Sequence, residues 1–484
     1  MLRNLANDKD AYKESHHLCM KPGMTHNEGY GEHRKGAKYA FTNWFGMDII
    51  IQDNFMTVPT LADIEEAKEE SFMTFGQNYF NEEVWLKVRK LGYIPMEIKA
   101  LPEGLNVPVG NALFTYQSTE PWFASTLPSL ETLLMHSWYP SSISTRTKVI
   151  KESIRPLVEK SGTIELLDYL INDFGARGTT WYDSAYVGGA AVLIHGRGSD
   201  NMIASRAIKH YYGMKGRAQS IWATEHSVAL SFGPGAGERE YVLHQLRRAP
   251  KNATLAMVID TYDSRNFMFN VINDPEIIAL IKERAEAGGN TVFRPDSGVP
   301  IEQVEMVFDA LTGIFGYTHN TKGYKVLKYG VRCIQGDGMN EESIYQLYFD
   351  IVKNRWSTDN LFVGSGGGLL QVDINRDTQR QAIKPSFGII GGVEYNFQKN
   401  PKSDPSKASK TGHLKVIEQY GNQMQTISSV DHDKANFGAA SDLLRTVFKN
   451  GEVHNKNNFA DIIERSNRPL PQILHTSEVK LFTV

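Results

Sequence analysis

From about residue 165 a rhythm of apolar and polar positions recurs along the chain: a short apolar run, a tight polar or Gly-rich turn, then an amphipathic stretch of helical period. "AAVLIHGRGSD" leads into "NMIASRAIKHYYG", "ATLAMVIDTYD" into "SRNFMFNVI", and "NTVFRPDSG" into "VPIEQVEMVFDALTGIFG". "LKYGVRCIQGDG" leads into "MNEESIYQLYFDIVKNRW", and "NLFVGSGGG" closes the series. Such runs read as buried parallel strands joined by crossover helices. Asp200, His226, Asp260, Asp296, Asp337 and Gly366 end these runs at intervals of 26, 34, 36, 41 and 29 residues, the lengths of βα units. An α/β barrel builds its active site at that end of its strands, and an open doubly wound sheet binds ligands there at its switch point. So many successive turns contribute chemistry that an α/β fold with a barrel-like domain is the expected form.

Residues 1–145 and 385–484 lack the rhythm. "IPMEIKALPEG" and "VPVGNALFTYQST" read as antiparallel strands with turns, and "LADIEEAKEESFMTFG" and "NEEVWLKVRKLG" as helices. A length of 484 residues fits two or three domains. Residues 146–384 are expected to hold the barrel-like catalytic domain.

Composition changes this picture by exclusion. A net charge of −3 gives no global basic field, so nucleic acid is not the expected partner. Two distant cysteines, Cys19 and Cys333, exclude a disulfide framework and a Cys-rich zinc site; they fit a reducing cytosol, so a cytoplasmic location is expected. The charged start "MLRNLANDKDAYKESHH" has no apolar core of a signal peptide. No apolar run approaches the length of a membrane span.

The turns carry the candidate chemistry. In "GSGGG" (364–368) glycines let backbone N–H groups approach a phosphate, or simply make a tight turn. The stretch is neither a P-loop nor a dinucleotide fingerprint. Asp337 in "IQGDG" is placed to meet sugar hydroxyls or to cap the next helix. In "FRPDSG", Arg294 and Asp296 share a face if the strand persists, which suits a ligand with donors and acceptors or a structural ion pair. Asp260 is a candidate to join them. Phe174 in "DFGARG" offers a ring face for stacking and Arg177 a fork for phosphate. "DFG" also occurs in protein kinases, whose other motifs are absent here. His226 in "WATEHSVALSF" reads as a core histidine, a metal ligand or a base; with no H-E-x-x-H or C-x-x-C, permanent zinc is not expected, while phosphate-bound Mg2+ is compatible. "KNPKSDPSKASKTGHLK" (399–415), with five lysines, reads as a solvated loop or a basic flap over an anion.

Taken in order, "DAYKESH", "DFGARG", "GRGSDN", "ATEHS", "DTYD", "RPDSG", "IQGDG", "GSGGGLLQ" and "DPSKASKTG" resemble the nicotinamide phosphoribosyltransferases, type II phosphoribosyltransferases, over nearly the whole chain. The resemblance is weakest over residues 20–45 and at the C-terminal tail. It implies a barrel-like domain plus an α/β sandwich built from both chain ends, residues 1–145 and 385–484, with a basic loop at 399–412. It implies a homodimer with active sites at the interface, acting on nicotinamide and 5-phosphoribosyl 1-pyrophosphate in NAD salvage, with Mg2+ and with ATP as coupled co-substrate.

Residue by residue, the resemblance makes Phe174 and the partner subunit's Tyr12 the ring clamp. Asp200 accepts the amide N–H, beside Arg294. Asp296, Gly336 and Asp337 hold the ribose, and Gly366 and Gly367 the 5′-phosphate. Arg177, Arg376, Lys384, Lys399, Lys407 and Arg34 surround phosphates. His226 is the histidine phosphorylated by ATP, oriented by Asp260, and Asp260 with Asp296 meets Mg2+ through pyrophosphate. One departure is Ala382 in "RQAIK", where the family carries a serine; one hydroxyl contact is lost there. Three other readings stand beside this one: a sister enzyme using nicotinate, against which Asp200 argues; a catalytically silent phosphosugar-binding protein; and an unrelated barrel hydrolase or aldolase, which lacks a placed Schiff-base lysine or a metal cluster.

Overall fold

The structure is a computed structural model and describes residues 3–403, 407–419 and 423–470. These form two compact units. The first takes the described residues up to Thr145, Ile208–Met214 and those from Asp373 on; the second takes Arg146–Ala207 and Lys215–Val372.

The first unit is an α/β sandwich made by both chain ends. Its seven-stranded sheet runs Val393–Asn396, Gln381–Ile390, Met24–His33, Ala112–Ser118, Met96–Ala100, Arg445–Lys449, Glu452–Val453. Every pairing in it is antiparallel. Strand Met24–His33 lies between Ala112–Ser118 and Gln381–Ile390, with Tyr30 opposite Lys384. The helices read from the sequence form as Leu61–Phe75 and Glu82–Leu91. The first has local reasons to start and stop. Thr60 and Asp63 make a reciprocal capping box, and Gly76 ends the helix at a φ of 72°. Its Ile64 and Ala67 pack with Val84, Trp85 and Val88 of the second helix onto Ile98, Phe114 and Phe448 of the sheet.

The second unit is the barrel. Six parallel strands lie in the order Ile171–Asp173, Leu361–Ser365, Val331–Gln335, Asn290–Arg294, Thr254–Val258, Trp222–Ala223. Two single parallel bridges, Asp173 to Ser199 and Gly198 to Gln219, link strand Ile171–Asp173 through the segment at 198–199 to Gln219, three residues before strand Trp222–Ala223. The sheet therefore curls into a ring. Side chains alternate across each strand. Ala256, Val292 and Ile334 form one apolar cluster with Phe174 and Phe362 packed on it, while their neighbours Met257, Phe293 and Cys333 are buried on the opposite face. Two residues on from Val292, Ile334 and Phe362 come Arg294, Gly336 and Gly364. Strand alternation thus carries these three to the same side, at the C-terminal strand ends.

One element departs from the sequence reading. "AAVLIH" was expected as a strand but forms the last turns of helix Tyr182–His195. Ala185, Gly188, Gly189 and every residue from Ala190 to His195 are buried in it. A helix apolar on all sides shows no polar period, so its end looks like a buried strand. The strand-like segment comes later, at 198–199. Likewise "SRNFMFNVI" forms a short helix, Ser264–Asn266, followed by a π-helical turn, Phe267–Val271. No helix among the described residues is long and apolar enough to cross a membrane.

Candidate active site

The loops after the parallel strands bring a histidine and two carboxylates together. His226 opens the short helix His226–Leu230, three residues beyond strand Trp222–Ala223. Its Nε2 lies 3.2 Å from Asp260 Oδ1 and its Nδ1 3.9 Å from Asp296 Oδ2. The His226 side chain is 41% exposed, whereas that of Asp260 is 5% exposed. Asp260 is held from behind: its Oδ2 accepts the Asp296 backbone N–H at 3.0 Å and the Ser297 hydroxyl. A carboxylate is acceptor-only, so it favours the His226 tautomer with the proton on Nε2. Nδ1 is then the nitrogen with a free lone pair.

Arg294 donates to Asp296 Oδ1 at 2.9 Å, and its guanidinium lies 5.5 Å from the Phe174 ring centroid. Its Nε is buried with no hydrogen-bond partner among the described residues. A buried donor without an acceptor invites one from a ligand. Room beside it comes from Gly336, where an added Cβ would sit 3.5 Å from Arg294 Nε and 3.4 Å from Asp296 Oδ1.

The Phe174 ring has a dedicated seat. A Cβ on Gly364 would lie 1.9 Å from its Cε2, so the ring rests on bare backbone. Gly366 and Gly367 bring the "GSGGG" turn against "DFGARG": a Cβ on Gly178 would meet Gly367 N at 3.2 Å, and one on Gly175 would meet Gly366 O at 2.9 Å. Asp173, fully buried before Phe174, accepts from Gly175 N at 2.7 Å and Asn201 Nδ2 at 3.2 Å. Burial, with a smaller push from Asp200, moves its carboxyl up to about 6. The Asp200 backbone N–H donates to Asp173 O at 3.0 Å, and the exposed Asp200 carboxylate accepts from the Ser220 hydroxyl at 2.5 Å.

Of the residues singled out in the sequence, His226, Asp260, Asp296, Arg294, Gly336 and Phe174 form this connected cluster. Asp337 is exposed just past strand Val331–Gln335. Arg177 extends into solvent with its Nη1 3.7 Å from Glu225. Tyr12, Arg34, Arg376, Lys384, Lys399 and Lys407 belong to the first unit. There Lys384 is pushed down by burial and by the positive charges of Arg34, Lys399 and Lys13, with Glu131 opposing. Arg34, Lys384 and Lys399 thus share one basic field. Arg376 pairs with its neighbour Asp377 at 3.1 Å, and Lys407 is exposed. Tyr12 is 60% exposed, edge-on to His16 at 5.2 Å. Part of the basic loop, residues 404–406, lies outside the described residues.

Gly364, Ser220, Ser297 and Asp173 take part without standing out in the sequence: Gly364 is one glycine of a turn, Ser220 and Asp173 meet their partners only in the fold, and Ser297 alone carries a signal, a hydroxyl beside Asp296 in "RPDSG".

Residues 169–452 match the model of the nicotinate phosphoribosyltransferase (NAPRTase) family, and residues 4–98 match the nicotinamide phosphoribosyltransferase N-terminal domain. A nicotinamide phosphoribosyltransferase of Xanthomonas campestris pv. campestris is 35% identical over 457 residues, covering 93% of this chain and 96% of that protein. One of Acinetobacter baylyi is 27% identical over 455 residues, covering 87% of each. The crystal structure of human nicotinic acid phosphoribosyltransferase matches the fold with a TM-score of 0.58 at 16% identity, covering 94% of this chain and 92% of that one. The chain belongs to the nicotinate phosphoribosyltransferase family and is a pentosyltransferase.

Proposed function

We propose that the chain joins nicotinamide to 5-phosphoribosyl 1-pyrophosphate, giving nicotinamide mononucleotide and pyrophosphate in NAD salvage, in the cytoplasm. The observation that carries this reading is the Asp200 carboxylate, fixed by Ser220 and tied through its backbone to the residue before Phe174. A carboxylate accepts the N–H of a carboxamide and repels the carboxylate of nicotinate, so it selects the amide. The names of the Xanthomonas and Acinetobacter relatives support the same choice.

The pyridine nitrogen attacks the anomeric carbon while the bond to pyrophosphate breaks, through an oxocarbenium-like state. Little proton transfer is needed, so catalysis is positioning plus charge stabilisation. Phe174 of one subunit and the partner subunit's Tyr12 stack on the ring in a homodimer with active sites at its interface, and the exposure of Tyr12 suits that role. Asp296, Gly336 and Asp337 hold the ribose, and Gly366 and Gly367 the 5′-phosphate. Arg34, Arg177, Arg376, Lys384, Lys399 and Lys407 meet the pyrophosphate or the phosphates of ATP. Mg2+ would be held through the pyrophosphate oxygens, with the Asp260 and Asp296 carboxylates supplying the negative charge that a hard cation favours nearby. The ion would supply positive charge as pyrophosphate departs.

ATP enters through His226. With Asp260 on Nε2, Nδ1 attacks the γ-phosphorus, ADP leaves, and water later cleaves the N–P bond. That hydrolysis drives an otherwise reversible condensation.

The test offers nicotinamide and nicotinate in parallel with 5-phosphoribosyl 1-pyrophosphate and Mg2+, each with and without ATP. Mononucleotide from nicotinamide alone, increased by ATP, is the expected outcome. Product from nicotinate instead would overturn the assignment of Asp200.

A further inference from the structure

Asp260 has two oxygens with different neighbours. Oδ1 faces His226 Nε2 at 3.2 Å; Oδ2 takes the Asp296 N–H at 3.0 Å and the Ser297 hydroxyl. Helix Pro300–Phe315 follows with Val299 as its N-cap, so Ser297 lies two residues ahead of the capping position and its hydroxyl is not used there. The chain instead turns at Gly298, with φ at 85°, and the Ser297 hydroxyl crosses to a carboxylate on a neighbouring strand's loop. Asp260 is almost fully buried, so its rotation is set by these donors rather than by water.

We propose that Ser297 is a positioning residue for the phosphoryl acceptor: by occupying Asp260 Oδ2 together with the Asp296 amide, it leaves Oδ1 to hold the proton on His226 Nε2 and keeps Nδ1 as the nucleophile. The inference rests on the phosphohistidine reading, but its mechanical half does not need ATP. If Ser297 is lost, the carboxylate keeps one backbone donor and gains freedom to turn. The neutral imidazole is then no longer committed to one tautomer, and a smaller share of molecules presents an unprotonated Nδ1.

The test uses the full chain labelled with 15N-histidine, with the His226 ring signals identified by their absence in His226→Ala. In the parent protein without nucleotide, the neutral ring is expected as the Nε2–H tautomer. In Ser297→Ala the Nδ1–H tautomer rises at least about threefold, since one charge-assisted hydrogen bond orients the acceptor. Ser297→Thr, which keeps the hydroxyl, restores the parent pattern; a purely structural role would not track the hydroxyl in this way. With ATP, phosphorylation of Ser297→Ala slows about tenfold while the KM for ATP stays. A Ser297→Ala protein with the parent's tautomer would overturn the proposal. A shifted tautomer in a protein whose parent takes no phosphate from ATP would uphold Ser297 as the positioning residue and overturn the phosphohistidine reading instead.

Discussion

Each unit of the molecule holds a cluster of acids, and the two are built to opposite ends. In the first unit Glu103 is buried to 1% exposure. Its Oε1 accepts the backbone N–H of Gly46 at 2.9 Å and of Asp48 at 3.0 Å, and its Oε2 accepts the Tyr212 hydroxyl at 2.8 Å. Asp48 in turn accepts from the backbone N–H of Asn457 at 2.9 Å, and Arg465 donates to the Glu103 carbonyl at 2.6 Å. Burial first, then the Asp48 charge, pushes the Glu103 carboxyl upward. Both oxygens are held by fixed partners, and the group is closed to solvent. In the barrel, Asp260 is equally well anchored, but its remaining oxygen faces an imidazole that is 41% exposed. A hydrogen-bonded buried acid network holds chain segments together; an anchored acid beside a half-exposed imidazole orients one ring nitrogen and leaves the ring open to solvent.

The largest expected effect breaks the reactive side of this contrast. His226→Ala loses ATP stimulation altogether and keeps part of the condensation, as initial rates with and without ATP will report; equal stimulation in variant and parent would remove the histidine from the ATP step. Next, Gly364→Ala forces a methyl group into the seat of Phe174. Overpacking of this kind destabilises the fold by about 1–3 kcal/mol and lowers the unfolding midpoint accordingly, and the displaced ring lowers kcat/KM for nicotinamide about tenfold in the protein that remains folded. Asp200→Asn removes the repulsion of nicotinate and shifts the nicotinamide/nicotinate ratio of kcat/KM toward nicotinate by about tenfold. An unchanged ratio would take the selector role from Asp200.

The smallest effect sharpens the structural side. Because the folded chain raises the Glu103 value above the ordinary carboxylate range, the native state holds this proton more tightly than the unfolded chain. Its stabilising contribution is full in acid, below the ordinary value, and is lost as pH rises through the raised one. Glu103→Gln keeps an acceptor for Gly46 and Asp48 and supplies a donor for Tyr212, so it loses that slope. Denaturant unfolding near pH 6 and near pH 9 should show parent stability falling by about 1 kcal/mol more than the variant's. Parallel curves would mean that Glu103 is ionised in the fold.

How far the sequence foretold these two clusters follows from their physics. The barrel cluster was legible because each member ends an apolar run, and the strand period then places it. The runs ending at Asp260, Asp296, Asp337 and Gly366 became strands Thr254–Val258, Asn290–Arg294, Val331–Gln335 and Leu361–Ser365. "AAVLIH" misled because a helix buried on all sides has no polar face to reveal its period. The seat at Gly364 was hidden because a glycine's lack of a side chain does not say which ring will fill the space. The Glu103 network was invisible for a different reason: Glu103, Asp48, Tyr212 and Asn457 are scattered along the chain and meet only once the sandwich is folded. Long-range polar contacts leave no local signature, whereas strand-end chemistry does.

The most direct test is to incubate the protein with γ-labelled ATP and map the label. An acid-labile, alkali-stable phosphate on the peptide carrying His226, absent in His226→Ala, is the predicted result. A protein that condenses nicotinamide with ATP-dependent turnover yet carries its label on another residue, or carries none, would contradict the assignment of the exposed imidazole and its anchored Asp260 as the reactive pair.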